Sequence, residues 1–300
     1  MPELVIDARS ADLGGGFTVK RILPFRQRRM VGPFIFLDHA GPLSLPPERL
    51  RKADVRPHPH IGLSTVSYLF EGAITHRDSL GVEQVIQPGA VNWMTAGRGI
   101  SHSERFDAPD SAGQGCELIQ SWVALPAGDE ECAPAFDHYA AERLPMMEEG
   151  GAWARLIAGS AFGATSPVET RSPLFYLHVI LGPGARIDLP QGYAERAAYV
   201  ADGSVDVDGR ACSAGQMIVF GPTEQPLLSA SAPATVMLLG GEPLGERFIW
   251  WNFVSSRKER IEQAKADWKA GRIDLPPNDN AEFIPLPEER TRPARPEPLS

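Results

Sequence analysis

Residues 56–72 read RPHPHIGLSTVSYLFEG, and the fold turns on how this stretch is read. Thr65-Val-Ser-Tyr-Leu-Phe70 alternates its side chains, is rich in β-branched and aromatic residues, and runs into Glu71-Gly72. That is the pattern of a half-buried strand ending in a turn. Upstream, His58 and His60 stand two residues apart, each preceded by a proline. Proline fixes φ and biases the residue before it towards extended backbone. In an extended chain residues i and i+2 face the same way, so the two imidazoles share one side. Taken alone, such a pair is either a surface or packing feature or one half of a metal site.

The same strand-and-turn grammar continues outward. Glu83-Gln-Val-Ile-Gln87 ends at Pro88-Gly89, and Glu117-Leu-Ile-Gln-Ser-Trp-Val-Ala124 ends at Leu125-Pro126. With 29 Gly and 28 Pro in 300 residues, the chain favours many short strands over long helices. Turns about every 8–12 residues point to a sandwich or a barrel. The segment from Glu130 to Ser172 is more mixed, and a boundary is placed early in it, giving domains 1–133 and 134–300. Strand patterns then resume at Leu174–Leu181, Ala197–Val200 and Val205–Val207, with Asp-Gly turns at 202–203 and 208–209.

The two halves read as distant repeats. Phe70-Glu-Gly72 matches Ala201-Asp-Gly203, and Gln87-Pro-Gly89 matches Ser213-Ala-Gly215. Near the end, Ser256-Arg-Lys-Glu259 reads as a capping box for a helix. Ile261, Ala264 and Trp268 follow on one face, and Gly271 stands just past its end. The polar, Pro-rich residues 288–300 are expected to be disordered.

A net charge of −9 argues against a sequence-independent grip on nucleic acid. No apolar run reaches the ~18 residues of a membrane span, and the N-terminus does not read as a secretory signal. Cys116, Cys132 and Cys212 are widely spaced and odd in number, which fits a reducing compartment, small apolar roles and a cytoplasmic protein.

A second pair of donors lies in Gly99-Ile-Ser-His102-Ser-Glu104, again at i and i+2. If this segment neighbours His58-Pro-His60, three imidazoles and a carboxylate converge. Three nitrogens and one oxygen suit a borderline divalent ion such as iron, with positions left open for substrate or oxygen. Aligning the halves on their turns puts His58, His60, His102 and Glu104 opposite about Leu189, Gln191, Leu228 and Ala230, so the fold repeats and the donors do not.

Residues 56–72, THRDSLG at 75–81 and QPGAVNWMTAGRGISHSE at 87–104 resemble the pirin family of the cupin superfamily. FIFLDHAGP at 34–42, ELIQSWVALP at 117–126 and EQAKADWKAG at 262–271 support the likeness, which spans most of residues 15–287. The resemblance implies an all-β bicupin, two stacked antiparallel β-barrels (double-stranded β-helices) with a short C-terminal helix. It implies one Fe(2+) in the first domain, held by His58, His60, His102 and Glu104. It also implies quercetin 2,3-dioxygenase-type activity on a flavonol-like substrate with dioxygen, Glu104 being the nearest candidate catalytic base. The alternative it carries is a redox-sensitive iron protein acting through a regulatory protein partner. The chain departs from the family at Ile61, where Arg is frequent, and at Trp251-Asn-Phe-Val-Ser-Ser256, before the helix.

Other residues have plainer readings. Gln120 is a hydrogen-bonded core residue or, if its strand face points inward, a polar group in the pocket wall. His76 with Asp78 and Ser79 reads as turn chemistry. His39 reads as a packed loop residue, Trp250-Trp251 as an apolar plug, and His138 and His178 carry no assignment.

Overall fold

The structure, a computed structural model, describes residues 2–12, 18–43, 51–107 and 115–287. The disorder expected for 288–300 falls outside these residues.

Twelve strands concern the site: β1 (Leu4–Asp7), β2 (Arg9–Asp12), β3 (Thr18–Leu23), β4 (Phe34–Leu43), β5 (Val55–His60), β6 (Leu63–Glu71), β7 (Ile74–Asp78), β8 (Glu83–Ile86), β9 (Val91–Thr95), β10 (Ile100–Arg105), β11 (Cys116–Ala124) and β12 (Ala135–Tyr139). In the first half they build a seven-stranded sheet, β12-β9-β6-β11-β4-β3-β2, and a four-stranded sheet, β5-β10-β7-β8. The second half repeats both. Its large sheet runs from β1 through Gln216–Phe220, Glu195–Asp202, Ala234–Gly241, Leu174–Leu181 and Ala152–Ala161 to Met146–Glu149. Its small sheet contains Arg186–Asp188, Leu227–Ser229, Ser204–Val207 and Arg210–Ser213. The strand β1 thus occupies, in the second half's sheet, the place that β12 occupies in the first.

The expectation of closed barrels is corrected here. Each half is a pair of open sheets. Among the described residues no ladder joins the end strands β2 and β12 of the large sheet to β5 or β8 of the small one. Side-chain packing, not a continuous hydrogen-bond ladder, closes the space between the two sheets. Val19, Ala40, Leu69 and Leu118 of the large sheet meet Ile74, Ile86 and Phe106 from the small-sheet side.

The two large sheets pack against each other in the middle of the molecule. Val66, Tyr68, Ile119 and Val123 from one meet Tyr176, Tyr199, Met237 and Leu239 from the other in one buried cluster. His39, buried on β4, joins the halves, with Nδ1 2.8 Å from the Tyr199 hydroxyl and Nε2 2.9 Å from Glu117. It is a strand residue, not a loop residue.

In the second half the space between the sheets is filled by apolar side chains, including Leu189, Val205, Leu228 and Ala230. Of the residues that replace the donors there, Leu189, Leu228 and Ala230 build a core, and Gln191 is exposed.

The C-terminal segment returns to the first half. A hairpin of Phe248–Trp250 and Phe253–Ser255 precedes helix α1 (Lys258–Lys269). Ile261, Ala264 and Trp268 are buried with Phe253 and Ile61, and Gly271 has φ of 68° just past the helix. The capping box did not form: the N-cap is Arg257, without a side-chain cap. Ser256 instead gives its backbone N–H and its hydroxyl to Glu130, at 2.8 and 3.2 Å. No helix among the described residues is long and apolar enough to cross a membrane.

Candidate metal centre

The antiparallel pairing of β5 with β10 sets His102 directly opposite His58 and Ile100 opposite His60. One face of this ribbon therefore carries all three imidazoles, as the period-2 argument requires. One donor nitrogen from each of His58, His60 and His102 lies within 4.8 Å of the others. The rings are 4.4–5.1 Å apart, centroid to centroid, and all three residues are buried. The corner after His60 needs glycine, because Gly62 has φ of 67° and an added Cβ would run into the Val254 carbonyl.

The nitrogens fit a metal. His58 Nδ1 donates to the Arg56 carbonyl at 2.9 Å, which leaves Nε2 with its lone pair. His102 Nε2 and His60 Nδ1 are buried without a hydrogen-bond partner. Unpaired buried polar atoms are costly, and a cation would satisfy them. Burial holds His58 down to about 4 and the other two well below the ordinary histidine range. The rings are therefore neutral near pH 7, the state in which imidazole binds metal. The cluster is consistent with a bound divalent metal.

Glu104 stands further along the wall of the same cavity. A bulge between His102 and Glu104 shifts the register, so that Glu104 faces Val55 on one side and His76 on the other. Among the described residues, the group within 4.8 Å comprises the three histidines and does not include it. Burial alone pushes the Glu104 carboxyl up to about 7. Glu104 is half-buried and lines the cavity.

The cavity, of about 490 Å³, lies between the two sheets of the first half. Opposite the histidines, Phe36 and Trp122 stack with centroids 4.1 Å apart and planes 15° from parallel. Arg21 grips Asp38 through two hydrogen bonds of 2.9 and 2.7 Å. Burial raises the Asp38 carboxyl, and the bonds from Arg21 oppose that shift. Gln120 points inward with Leu118 and Trp122 and accepts a 2.8 Å bond from Ser67 Oγ. The rim is formed by Ile249, Trp251, Asn252 and Ile284. Trp250 and Trp251 both pack against the Phe253 cluster, and Trp251 also lines the cavity.

Five residues gain an importance that sequence reasoning missed. Arg21, Asp38 and Phe36 carry no local signature; only the pairing of β3 and β4 with β11 brings them to the cavity. His76 and Asp78 lie on β7, both buried, rather than in a turn alone. His76 Nδ1 is 3.3 Å from His102 Nδ1, and His76 Nε2 is 3.0 Å from Asp78 Oδ2.

The cysteines stay apart from the cluster. All three are free, and none belongs to the metal-ligating group found among the described residues. Burial pushes the Cys116 thiol up to about 12. The Cys116/Cys132/Cys212→Ser triple variant is expected to bind as much metal as the parent, measured by elemental analysis after loading and dialysis.

Burial of neutral histidines also fixes a pH response. His178, beside Tyr68 and between the two large sheets, is pushed down to about 3 by burial and by Arg155. An unfolded histidine takes up its proton near pH 6.5. Stability from such a residue is therefore full above that pH and falls as the pH drops towards the folded value. From pH 6.5 to pH 5 the loss is about 2 kcal/mol each for His58 and His178. Glu104 works the other way, since its raised carboxyl favours the fold as pH falls through about 7. It offsets about one such histidine. Urea midpoints of metal-free protein should drop between pH 7 and pH 5, and the drop should shrink in His178→Phe. An unchanged slope in that variant would contradict the assignment.

Two stacked, two-sheet cupin domains, of which the first alone offers a three-histidine cluster among the described residues, define a metal-binding bicupin protein. Residues 16–123 match the family described as Pirin, and residues 176–274 match the Pirin C-terminal cupin domain. The chain is 60% identical over 289 residues to a pirin-like protein of Caulobacter vibrioides, covering 96% of this chain and 100% of the relative. It belongs to the pirin family. A crystal structure of quercetin 2,3-dioxygenase from Acinetobacter baumannii is 35% identical and superposes with a TM-score of 0.87, covering 96% of each chain. A bacterial pirin from Escherichia coli in complex with nickel(II) shares the fold at 17% identity, with a TM-score of 0.61 over 80% of this chain and 99% of that one.

Proposed function

We propose that this chain is a mononuclear iron dioxygenase of the quercetin 2,3-dioxygenase kind, opening a flavonol-type ring with dioxygen. The observation that carries the reading is the cluster of three buried, neutral imidazoles on the wall of a cavity of about 490 Å³. The likeness to the Acinetobacter enzyme supports it. In this reading Fe(II) is held by His58, His60, His102 and Glu104. Residues 1–133 carry the metal ligands, residues 134–300 form the metal-free half apart from β12 and the C-terminal segment, which complete the first half, and the protein works in the cytoplasm.

The cavity suits a flat polyphenol. The Phe36–Trp122 stack offers an apolar plane, and Arg21, Asp38, Asn92 and Gln120 offer polar atoms to ring hydroxyls. Bound iron would supply Lewis acidity and redox chemistry to the substrate. Glu104, at about 7, is matched to accepting a proton from an enol-type hydroxyl, a role that competes with ligation. Ile249, Trp251 and Ile284 add apolar surface to the cavity lining.

The test is oxygen uptake by anaerobically Fe(II)-loaded protein with and without quercetin. Substrate-dependent uptake is expected. Glu104→Gln should lower it by about 10²–10⁴-fold if proton transfer is its task, with metal content measured in parallel. Fully loaded protein that takes up no oxygen with the flavonol would refute the enzymatic reading.

A further inference from the structure

We propose that Asp78 and His76 form a fixed donor–acceptor chain that sets the tautomer of His102 and so tunes the metal affinity of the cluster. The proposal rests on the metal-centre reading above and assigns a task to two residues of the THRDSLG stretch.

The strand β10 lies between β5 and β7. His102 therefore has His58 opposite it on one side and Asp78 on the other. Asp78 is fully buried, and its carboxylate is fixed from two directions. Oδ1 accepts the backbone N–H groups of Leu80 and Val82, at 2.9 and 3.2 Å. Oδ2 lies 3.0 Å from His76 Nε2. A carboxylate so held can only accept, so His76 carries a proton on Nε2. In the neutral ring, which the proposal takes, His76 Nδ1 is then a lone pair.

That lone pair lies 3.3 Å from His102 Nδ1. Two lone pairs facing each other would repel, so His102 carries its proton on Nδ1 and donates it to His76. The consequence is that His102 Nε2, buried and without a partner, presents a lone pair to the cluster. The His76 ring is held in plane by stacking on Phe136 of β12, 4.4 Å away and 22° from parallel. The Arg56 carbonyl does the same work for His58. A ligand whose outer nitrogen is anchored this way is oriented before the metal arrives and is a better base towards it. The plainer role for the pair is to anchor the turn at residues 78–82, which Asp78 Oδ1 alone accomplishes. His76 and Oδ2 are not needed for it.

His76 and Asp78 are positioning residues, and the tautomer can be read without metal or turnover. Histidine-selective ¹⁵N NMR of metal-free protein should find His102 as the Nδ1–H tautomer. In His76→Phe this preference should be lost, and Zn(II), used as the probe in chelator competition, should bind about 10–100-fold more weakly. His76→Gln can accept from His102 and donate to Asp78 at once, and should recover most of the affinity. Thermal melting checks that each variant is folded. His102 found as the Nε2–H tautomer in the parent protein overturns the proposal. So does parental Zn(II) affinity in folded His76→Phe, or the absence of recovery in folded His76→Gln. Failure of the parent protein to bind Zn(II) at all would count instead against the metal centre, while the tautomer result would stand.

Discussion

His102→Ala is expected to yield a folded protein that retains almost no metal after dialysis, where the parent retains one ion per chain. His102 faces His58 across the β5–β10 ladder and carries a buried Nε2 without a partner. Removing it takes away one of three clustered donors and cuts the link to His76. The cost to the metal-free fold is small by comparison. The lost ring borders a cavity that is already open, so little packing disappears, and a buried orphan nitrogen goes with it. The check is elemental analysis alongside thermal melting. Loss of metal with a near-parental melt is the expected pair of results, and stoichiometric metal in the variant would remove His102 from the site.

Glu130→Ala should have the largest effect on stability, about 3–5 kcal/mol. Glu130 is buried, and its Oε2 accepts a 2.7 Å bond from Ser255 Oγ while Oε1 accepts the Ser256 backbone N–H at 2.8 Å. Arg247 Nε lies 3.2 Å from Oε1, an ion pair with both side chains 2% exposed. That contact is an ion pair and not a hydrogen bond. The other guanidinium nitrogens donate to the carbonyls of Leu244, Glu246 and Leu125. Deleting the carboxylate leaves a buried cation with neutral acceptors only. It also releases the hairpin whose Trp251 and Asn252 border the cavity. Urea unfolding measures the loss. A variant within about 1 kcal/mol of the parent would show that the pair does not hold the hairpin.

Much of this architecture is visible in local pattern. Alternation marked β6 and β11, and the Pro-Gly and Asp-Gly turns marked the repeat of one half in the other. The His-x-His and His-x-Glu spacings put each pair of donors on one strand face. Period alone says which way a side chain points and is silent on which strand lies beside it. That is why His76 and Asp78 read as turn residues: their meaning depends on β7 pairing with β10, a register set by contacts far apart in sequence. Glu104 shows a related limit. A two-residue spacing puts it level with His102 until a bulge, invisible in the pattern, shifts the ladder between them. Sheet closure is also beyond period. The strand content suits a barrel or a sandwich equally, and among the described residues the unpaired ends of four open sheets decide for the latter. Arg247 and Glu130 meet only because the C-terminal hairpin folds back over the first half.

The central claim, that the three imidazoles of the first half hold the functional metal, has a direct test in the anomalous scattering of a crystal grown anaerobically with Fe(II) and measured at the iron edge. One peak per chain, bounded by His58, His60 and His102, is the predicted result. A peak elsewhere in the molecule, or none at the cluster in protein shown by elemental analysis to carry iron, would contradict it.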